Sequence, residues 1–89
     1  LGFTQTLAKE VGPYGITANA IAPGYVETEL IAQFSADMRE RLHKQNPIRR
    51  LCRSDEVAAL VVFLCSTQAA FINGENVCID GGRRDFYWG

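Results

Sequence analysis

Pro23 and Gly24, with the hydroxyl of Thr28 a few residues on, are the residues best placed by type and spacing to hold a ligand. They close a short apolar run, Ala18-Asn19-Ala20-Ile21-Ala22, and a helical pattern begins directly after Thr28. In an open parallel α/β sheet, ligands bind just beyond the carboxyl ends of the strands. A strand that stops at Pro-Gly leaves backbone N–H and C=O groups without ladder partners, and a threonine hydroxyl can both accept and donate. The chemistry implied is recognition of a polar group by the backbone freed at Pro23-Gly24 and by the Thr28 hydroxyl.

The other reactive side chains make a weaker case. Cys52 sits among Arg49, Arg50 and Arg53, and such a neighbourhood would favour a thiolate. The same arginines could meet an acidic substrate, such as an acyl carrier or a nucleotide-bearing thioester; the plainer reading is a solvated loop with one structural ion pair. His43 falls on the polar face of a helical pattern and reads as a surface residue. Cys52, Cys65 and Cys78 are odd in number and lack CxxC spacing. That argues against a disulfide framework or a metal site and for a reducing, cytoplasmic compartment.

Length and composition bound the rest. Eighty-nine residues suffice for one small unit with a modest buried fraction. A chain 47% hydrophobic and 21% charged is folded and globular in type. A net charge of -1 gives no electrostatic case for nucleic acid or a membrane surface. The longest apolar run, Val57 to Cys65, is far short of the roughly 20 residues a membrane span needs. The chain opens on Leu1 rather than methionine, in the middle of a helical pattern without a cap, so upstream residues are expected.

The elements that must position the turn follow in order. Leu1 to Val11 reads as the end of a helix, with Leu1, Thr4, Leu7, Ala8 and Val11 on one face, stopped by Gly12-Pro13. Ile16 to Ala22 reads as a strand apolar on both faces, as inside a parallel sheet. Asn19 within it must find partners, and structural bonding is the expected use. Thr28 to Asn46 reads as two short helices: Leu30, Ile31 and Phe34 form one apolar cluster, Ser35 caps the second helix, Met38 and Leu42 share a face, and Glu40 pairs with Lys44. Such helices suit a mobile lid or a pair of surface connectors. Asn46-Pro47 ends them. Ser54 is expected to cap a further helix, with Asp55 and Glu56 in its first turn and Val57, Leu60, Val61 and Leu64 as its core face, broadened by Val62 and Phe63. Asn73-Gly74 marks a turn before a second strand, Glu75 to Asp80. Strand, crossover helix, strand is a βαβ unit, expected to be parallel and right-handed. The tail from Arg83 to Gly89 has no clear period. Two strands alone are marginal, so partner strands are expected outside the chain.

The segment Asn19-Ala20-Ile21-Ala22-Pro23-Gly24-Tyr25-Val26-Glu27-Thr28 resembles the cofactor-contacting segment of the short-chain dehydrogenase/reductase family, in its 3-oxoacyl-(acyl-carrier-protein) reductase branch. Gly2-Phe3-Thr4 with Leu7-Ala8-Lys9-Glu10, Arg50-Leu51, Asp55-Glu56-Val57-Ala58 and Ile79-Asp80-Gly81-Gly82 resemble its active-site helix, last helix and last strand, in the family's order. Where Cys52-Arg53-Ser54 stands, the family more often has Gly-Arg-Pro. The resemblance implies an α/β fold, the carboxyl-terminal part of a Rossmann-type doubly wound parallel sheet, with residues 1–89 belonging to one domain and a lid over about 28–46.

The resemblance further implies an NAD or NADP cofactor, with Pro23 and Gly24 under the nicotinamide, the Val26 backbone on the carboxamide, and the Thr28 hydroxyl on the carboxamide or pyrophosphate. It implies a small-molecule carbonyl or alcohol substrate, thioesters among the candidates, and a homo-oligomer, dimer or tetramer. The family's glycine-rich loop, catalytic Ser and Tyr-x-x-x-Lys do not occur in this sequence; by spacing, that Lys would fall about four residues before Leu1. No catalytic residue and no metal ligand is assigned to this chain, and the isolated chain is expected to be inactive. A non-catalytic binding or scaffolding relative is the alternative.

Overall fold

A computed structural model describes residues 2–82; the tail 83–89 and Leu1 lie outside the described residues. The elements are α1 (Gly2–Val11), β1 (Ala20–Pro23), α2 (Glu29–Ala32), α3 (Ala36–Gln45), α4 (Ser54–Leu64) and β2 (Asn76–Ile79). β1 and β2 form a two-stranded parallel sheet. Its register advances in step: the Ala20 N–H donates to the Glu75 carbonyl at 2.8 Å and the Gly24 N–H to the Ile79 carbonyl at 3.1 Å. The chain groups into two compact units. One takes the chain up to Ala22 together with Ala58–Val77; the other takes Pro23–Val57 together with the chain from Cys78.

In the first unit, α1 turns Thr4, Leu7, Ala8 and Val11 away from solvent, with Ala8 fully buried. Gly12-Pro13 ends α1 at Val11, as expected, and the chain does not straighten at once. It tightens into a 3-10 turn over Gly12–Tyr14, where a proline lacking its N–H is tolerated, and Gly15 at φ 74° ends it. β1 starts at Ala20, four residues later than the apolar run suggests, because the residues before it bond to side-chain amides. Asn73 accepts the Ala18 N–H at 2.9 Å and donates to the Ala8 carbonyl at 3.0 Å. Asn19 donates to the Ile72 carbonyl at 3.1 Å and accepts the Glu75 N–H at 3.0 Å. Its use is structural, as expected. Gly74, at φ 77°, lets the turn approach α1, since a Cβ there would lie 3.3 Å from the Ala8 methyl.

α4 buries a narrower stripe than its apolar content suggests. Val57, Leu60 and Leu64 are half-buried at i, i+3, i+7 spacing, whereas Val61, Val62 and Phe63 are exposed.

The second unit has its own small core: Ile31, Leu42 and Leu51, with Tyr25 packed against them. α2 is capped by Thr28 and α3 by Ser35, whose Oγ accepts the Met38 N–H at 3.2 Å. Asn46 leaves α3 in extended conformation (φ -97°, ψ 131°), as the residue before Pro47 must. Glu40 and Lys44 make the expected i,i+4 pair at 3.7 Å, solvated and worth a few tenths of a kcal/mol. Leu30, Phe34 and Met38, expected with the core, are exposed. A four-residue helix offers a single inward position, and Ile31 takes it. No helix among the described residues is long and apolar enough to cross a membrane.

Candidate functional site

Pro23, Gly24, Tyr25, Val26 and Thr28, singled out by sequence, fall on one continuous turn of the second unit. Pro23 ends β1 and Gly24 still pairs with Ile79. A Cβ on Gly24 would lie 3.3 Å from the Asp80 Cα and 3.5 Å from its Cβ, so glycine is what lets the two chains close at this point. Asp80-Gly81-Gly82 turns through two left-handed glycines, φ 64° and 95°, with the Asp80 Oδ1 accepting the Gly82 N–H at 2.9 Å. That is the structural turn its sequence suggests.

Beyond Gly24 the backbone makes an isolated parallel bridge, Val26 to Cys52. Cys52 supplies both bonds: its N–H donates to the Tyr25 carbonyl at 3.0 Å and its carbonyl accepts the Glu27 N–H at 2.7 Å. In a parallel bridge the central residue of the other strand points its own N–H and C=O the opposite way. Val26 therefore presents a donor and an acceptor, side by side, away from Cys52. Two residues on, the Thr28 Oγ1 accepts the Ile31 N–H at 3.3 Å and so caps α2. That bond uses an acceptor lone pair and leaves the hydroxyl proton to donate. The turn thus carries a backbone donor and acceptor at Val26 and a hydroxyl at Thr28 that can still donate.

The loop that carries Cys52 is tied by one carboxylate. Glu56 receives Arg50 in two parallel bonds, 2.6 and 2.8 Å, and accepts the Arg53 N–H at 2.9 Å. The last bond corrects the capping expectation. Ser54 is the first residue of α4 rather than its cap, and Glu56 reaches back to the N–H of the residue before it, as in one half of a capping box. Arg53 also meets Asp55 at 3.2 Å. Arg50 and Arg53 are thus engaged with carboxylates, and Arg49 donates to the Lys44 carbonyl at 3.3 Å. Burial first, then Glu56, pushes the Cys52 thiol up, outweighing Arg50 and Arg53. A thiolate is not favoured, in keeping with the plainer reading of this loop.

Hydrogen bonding to Arg50, then to the Arg53 N–H, lowers Glu56 from 4.5 to about 2. A carboxylate held more acidic in the fold stabilises it wherever it is ionised. The contribution is complete above the unfolded value and is lost as pH falls toward about 2. The melting temperature of a Glu56→Gln variant should therefore lie below the parent's at about pH 7 and draw level with it toward about pH 2. A gap independent of pH would show that the carboxylate's charge is not what stabilises the loop.

Sequence reasoning missed two residues here. Asn46 is buried and donates to the Leu42 carbonyl at 3.2 Å, which ties off the end of α3. His43, read as a surface residue, is half-buried, and its Nε2 is enclosed with no hydrogen-bond partner among the described residues. The Asn46 N–H donates to the His43 carbonyl at 3.3 Å. Helical spacing gives no hint that the His43 Nε2 is enclosed.

A parallel strand ending on Pro-Gly, followed by a capped helix pair and a last helix and strand, is the carboxyl-terminal part of a Rossmann-type α/β sheet. The chain belongs to the short-chain dehydrogenase/reductase family: residues 1–84 match the family model described as enoyl-(acyl carrier protein) reductase. It is 42% identical over 82 residues to the 3-oxoacyl-[acyl-carrier-protein] reductase of Aquifex aeolicus, covering 92% of this chain and 33% of that one. It is 45% identical over 84 residues to the acetoacetyl-CoA reductase of Shinella zoogloeoides, covering 93% and 35%. The crystal structure of the 3-oxoacyl-[acyl-carrier protein] reductase from Brucella melitensis superposes with a TM-score of 0.87 at 40% identity, over 91% of this chain and 30% of that one. The chain thus spans about a third of the length of the curated relatives it matches.

Proposed function

We propose that these residues belong to an NAD(P)(H)-dependent oxidoreductase that interconverts a hydroxyl and a carbonyl group, and that they form its nicotinamide-side edge and substrate lid. The observation that carries this reading is the turned-out N–H and C=O of Val26, fixed by the two Cys52 bonds. The Val26 N–H would donate to the carboxamide oxygen of the cofactor and its C=O accept from the amide nitrogen. The Thr28 hydroxyl, already accepting from Ile31, would donate to the carboxamide or a pyrophosphate oxygen. Pro23, Gly24 and Tyr25 would form the floor beneath the ring. The dinucleotide, when bound, supplies the hydride.

Residues 28–46, α2 and α3, would act as the lid, and residues 1–89 would belong to one nicotinamide-binding domain. The acid-base residues, in this reading a Tyr and Lys one helical turn apart, lie upstream on the helix that continues into α1. Tyr and Lys at that spacing share a face, where the ammonium lowers the phenol's pKa for proton transfer. The relatives named for acyl-carrier and acetoacetyl-CoA substrates support a 3-oxoacyl thioester as substrate class, and a homo-oligomer is the assembly that reading favours. The test is a spectrophotometric assay. The full-length protein should oxidise NADPH or NADH in the presence of an acetoacetyl thioester, and the 89-residue chain alone should not. Turnover by the isolated chain would place catalytic groups within it. Cofactor binding by the full-length protein without turnover of any carbonyl would mark a binding module instead.

A further inference from the structure

Glu56 touches none of the residues of the Pro23–Thr28 turn through its own hydrogen bonds, yet the turn's conformation depends on what Glu56 holds. The bridge that orients Val26 has a single donor-acceptor residue on its far side, Cys52. On one side of Cys52, Arg50 is fixed by two bonds to Glu56 and donates to the Leu51 carbonyl at 3.1 Å. On the other side, the Arg53 N–H is fixed by the same carboxylate at 2.9 Å. Packing does only part of this job: Leu51, beside Cys52, is buried in the core with Ile31 and Leu42. A cavity of about 100 Å³ lies against the turn, lined by Gly24, Tyr25, Arg50, Cys52, Glu56 and Asp80. Arg49, at φ 66°, adds a strained residue to the same loop. A loop that is partly unpacked and locally strained keeps its register only if something clamps both ends, and a bidentate, charge-assisted pair is the strongest clamp present.

We propose that Glu56 is a positioning residue for the nicotinamide end of the cofactor. By holding Arg50 and the Arg53 N–H together it fixes Cys52, and through the Cys52 bridge it aims the N–H and C=O of Val26. This inference rests on the nicotinamide reading of the turn given above and assigns that reading a residue beyond it.

Glu56→Gln removes the charge and one arm of the fork while keeping an acceptor for the Arg53 N–H. Arg50→Lys keeps the charge but cannot make two parallel bonds. In the full-length protein each should raise the KM for NAD(P)H roughly tenfold, the scale of one charge-assisted hydrogen bond, and change kcat little. Binding of ADP-ribose or its 2′-phosphate, which lack the nicotinamide, should be unchanged in both. Asp55→Asn, which breaks only the neighbouring solvated pair with Arg53, should leave all three values as they were. Should NAD(P)H and ADP-ribose weaken together, or neither move while Arg50→Lys is also silent, Glu56 serves stability alone and the proposal is overturned. If the parent protein binds neither NAD(P)H nor ADP-ribose, the nicotinamide reading itself fails, and this inference fails with it. Where the Glu56→Gln protein does not fold, Arg50→Lys decides the matter with the same two ligands.

Discussion

Leu42→Ala is expected to lower the stability of the α2–α3 region by about 2–5 kcal/mol. The reason is the size of the core it belongs to. Ile31, Leu42 and Leu51, at 8%, 6% and 3% exposure, are the buried apolar residues that hold α2 and α3, and Tyr25 of the ligand turn packs on the same cluster. Removing the Leu42 isobutyl group takes away one of three members, and with so few neighbours nothing large can move in to fill the space. Because the core is local, the loss should show as local opening. Amide exchange in α3 and at Leu51 should accelerate by the same free energy, measured on the full-length protein by exchange mass spectrometry. A change equivalent to less than about 1 kcal/mol would mean that α2 and α3 are held by interactions other than this cluster. Tyr25 links the cluster to the turn, so cofactor affinity should fall in the same variant.

Gly24→Val is the second large effect. Gly24 lies outside the left-handed region, so the conflict is one of space rather than backbone conformation. The Cβ would meet the Asp80 Cα at 3.3 Å and the Asp80 Cβ at 3.5 Å, and a Cα cannot rotate aside as a side-chain tip can. Asp80 is itself buried and bonded to Gly82, which makes a shift of that chain costly. Alanine asks the neighbour to give a few tenths of an ångström. Valine adds two methyl groups at the same place, and overpacking of this kind costs about 1–3 kcal/mol. The displacement falls two residues before Val26, so the dissociation constant for NAD(P)H should rise by about tenfold or more, with alanine intermediate. Titration calorimetry on the full-length protein checks it. Parent-like affinity in the valine variant would show that the turn can separate from Asp80 without disturbing the residues proposed to hold the ring.

What can be read from sequence divides along the range of the interactions involved. The Ser35 cap, the Glu40–Lys44 pair, the stop at Asn46-Pro47 and the left-handed turn after Asp80 depend on residues a few positions apart, and each is legible. The strand end at Pro23 and the helix start after Thr28 are legible because the residue types that set them fall on a few consecutive positions. The true start of β1 is not, since it is set by Asn73 and Asn19 amides bonding across more than fifty positions. The engagement of the arginines is half legible. An ion pair follows from composition, but that Glu56 takes both Arg50 and the Arg53 N–H depends on the path of the loop. Helical spacing alone puts Val61 in the core, because it counts apolar positions and not the width of the surface that must cover them.

The central claim is that the Val26 backbone and the Thr28 hydroxyl meet the nicotinamide carboxamide. Amide NMR of the full-length protein, titrated in parallel with oxidised NAD(P) and with ADP-ribose or its 2′-phosphate, addresses it directly. The Val26 N–H is expected to shift and become protected from exchange with the dinucleotide, and to stay unmoved with the fragment that lacks the ring. A Val26 amide indifferent to both, in a protein that binds the dinucleotide, would contradict it.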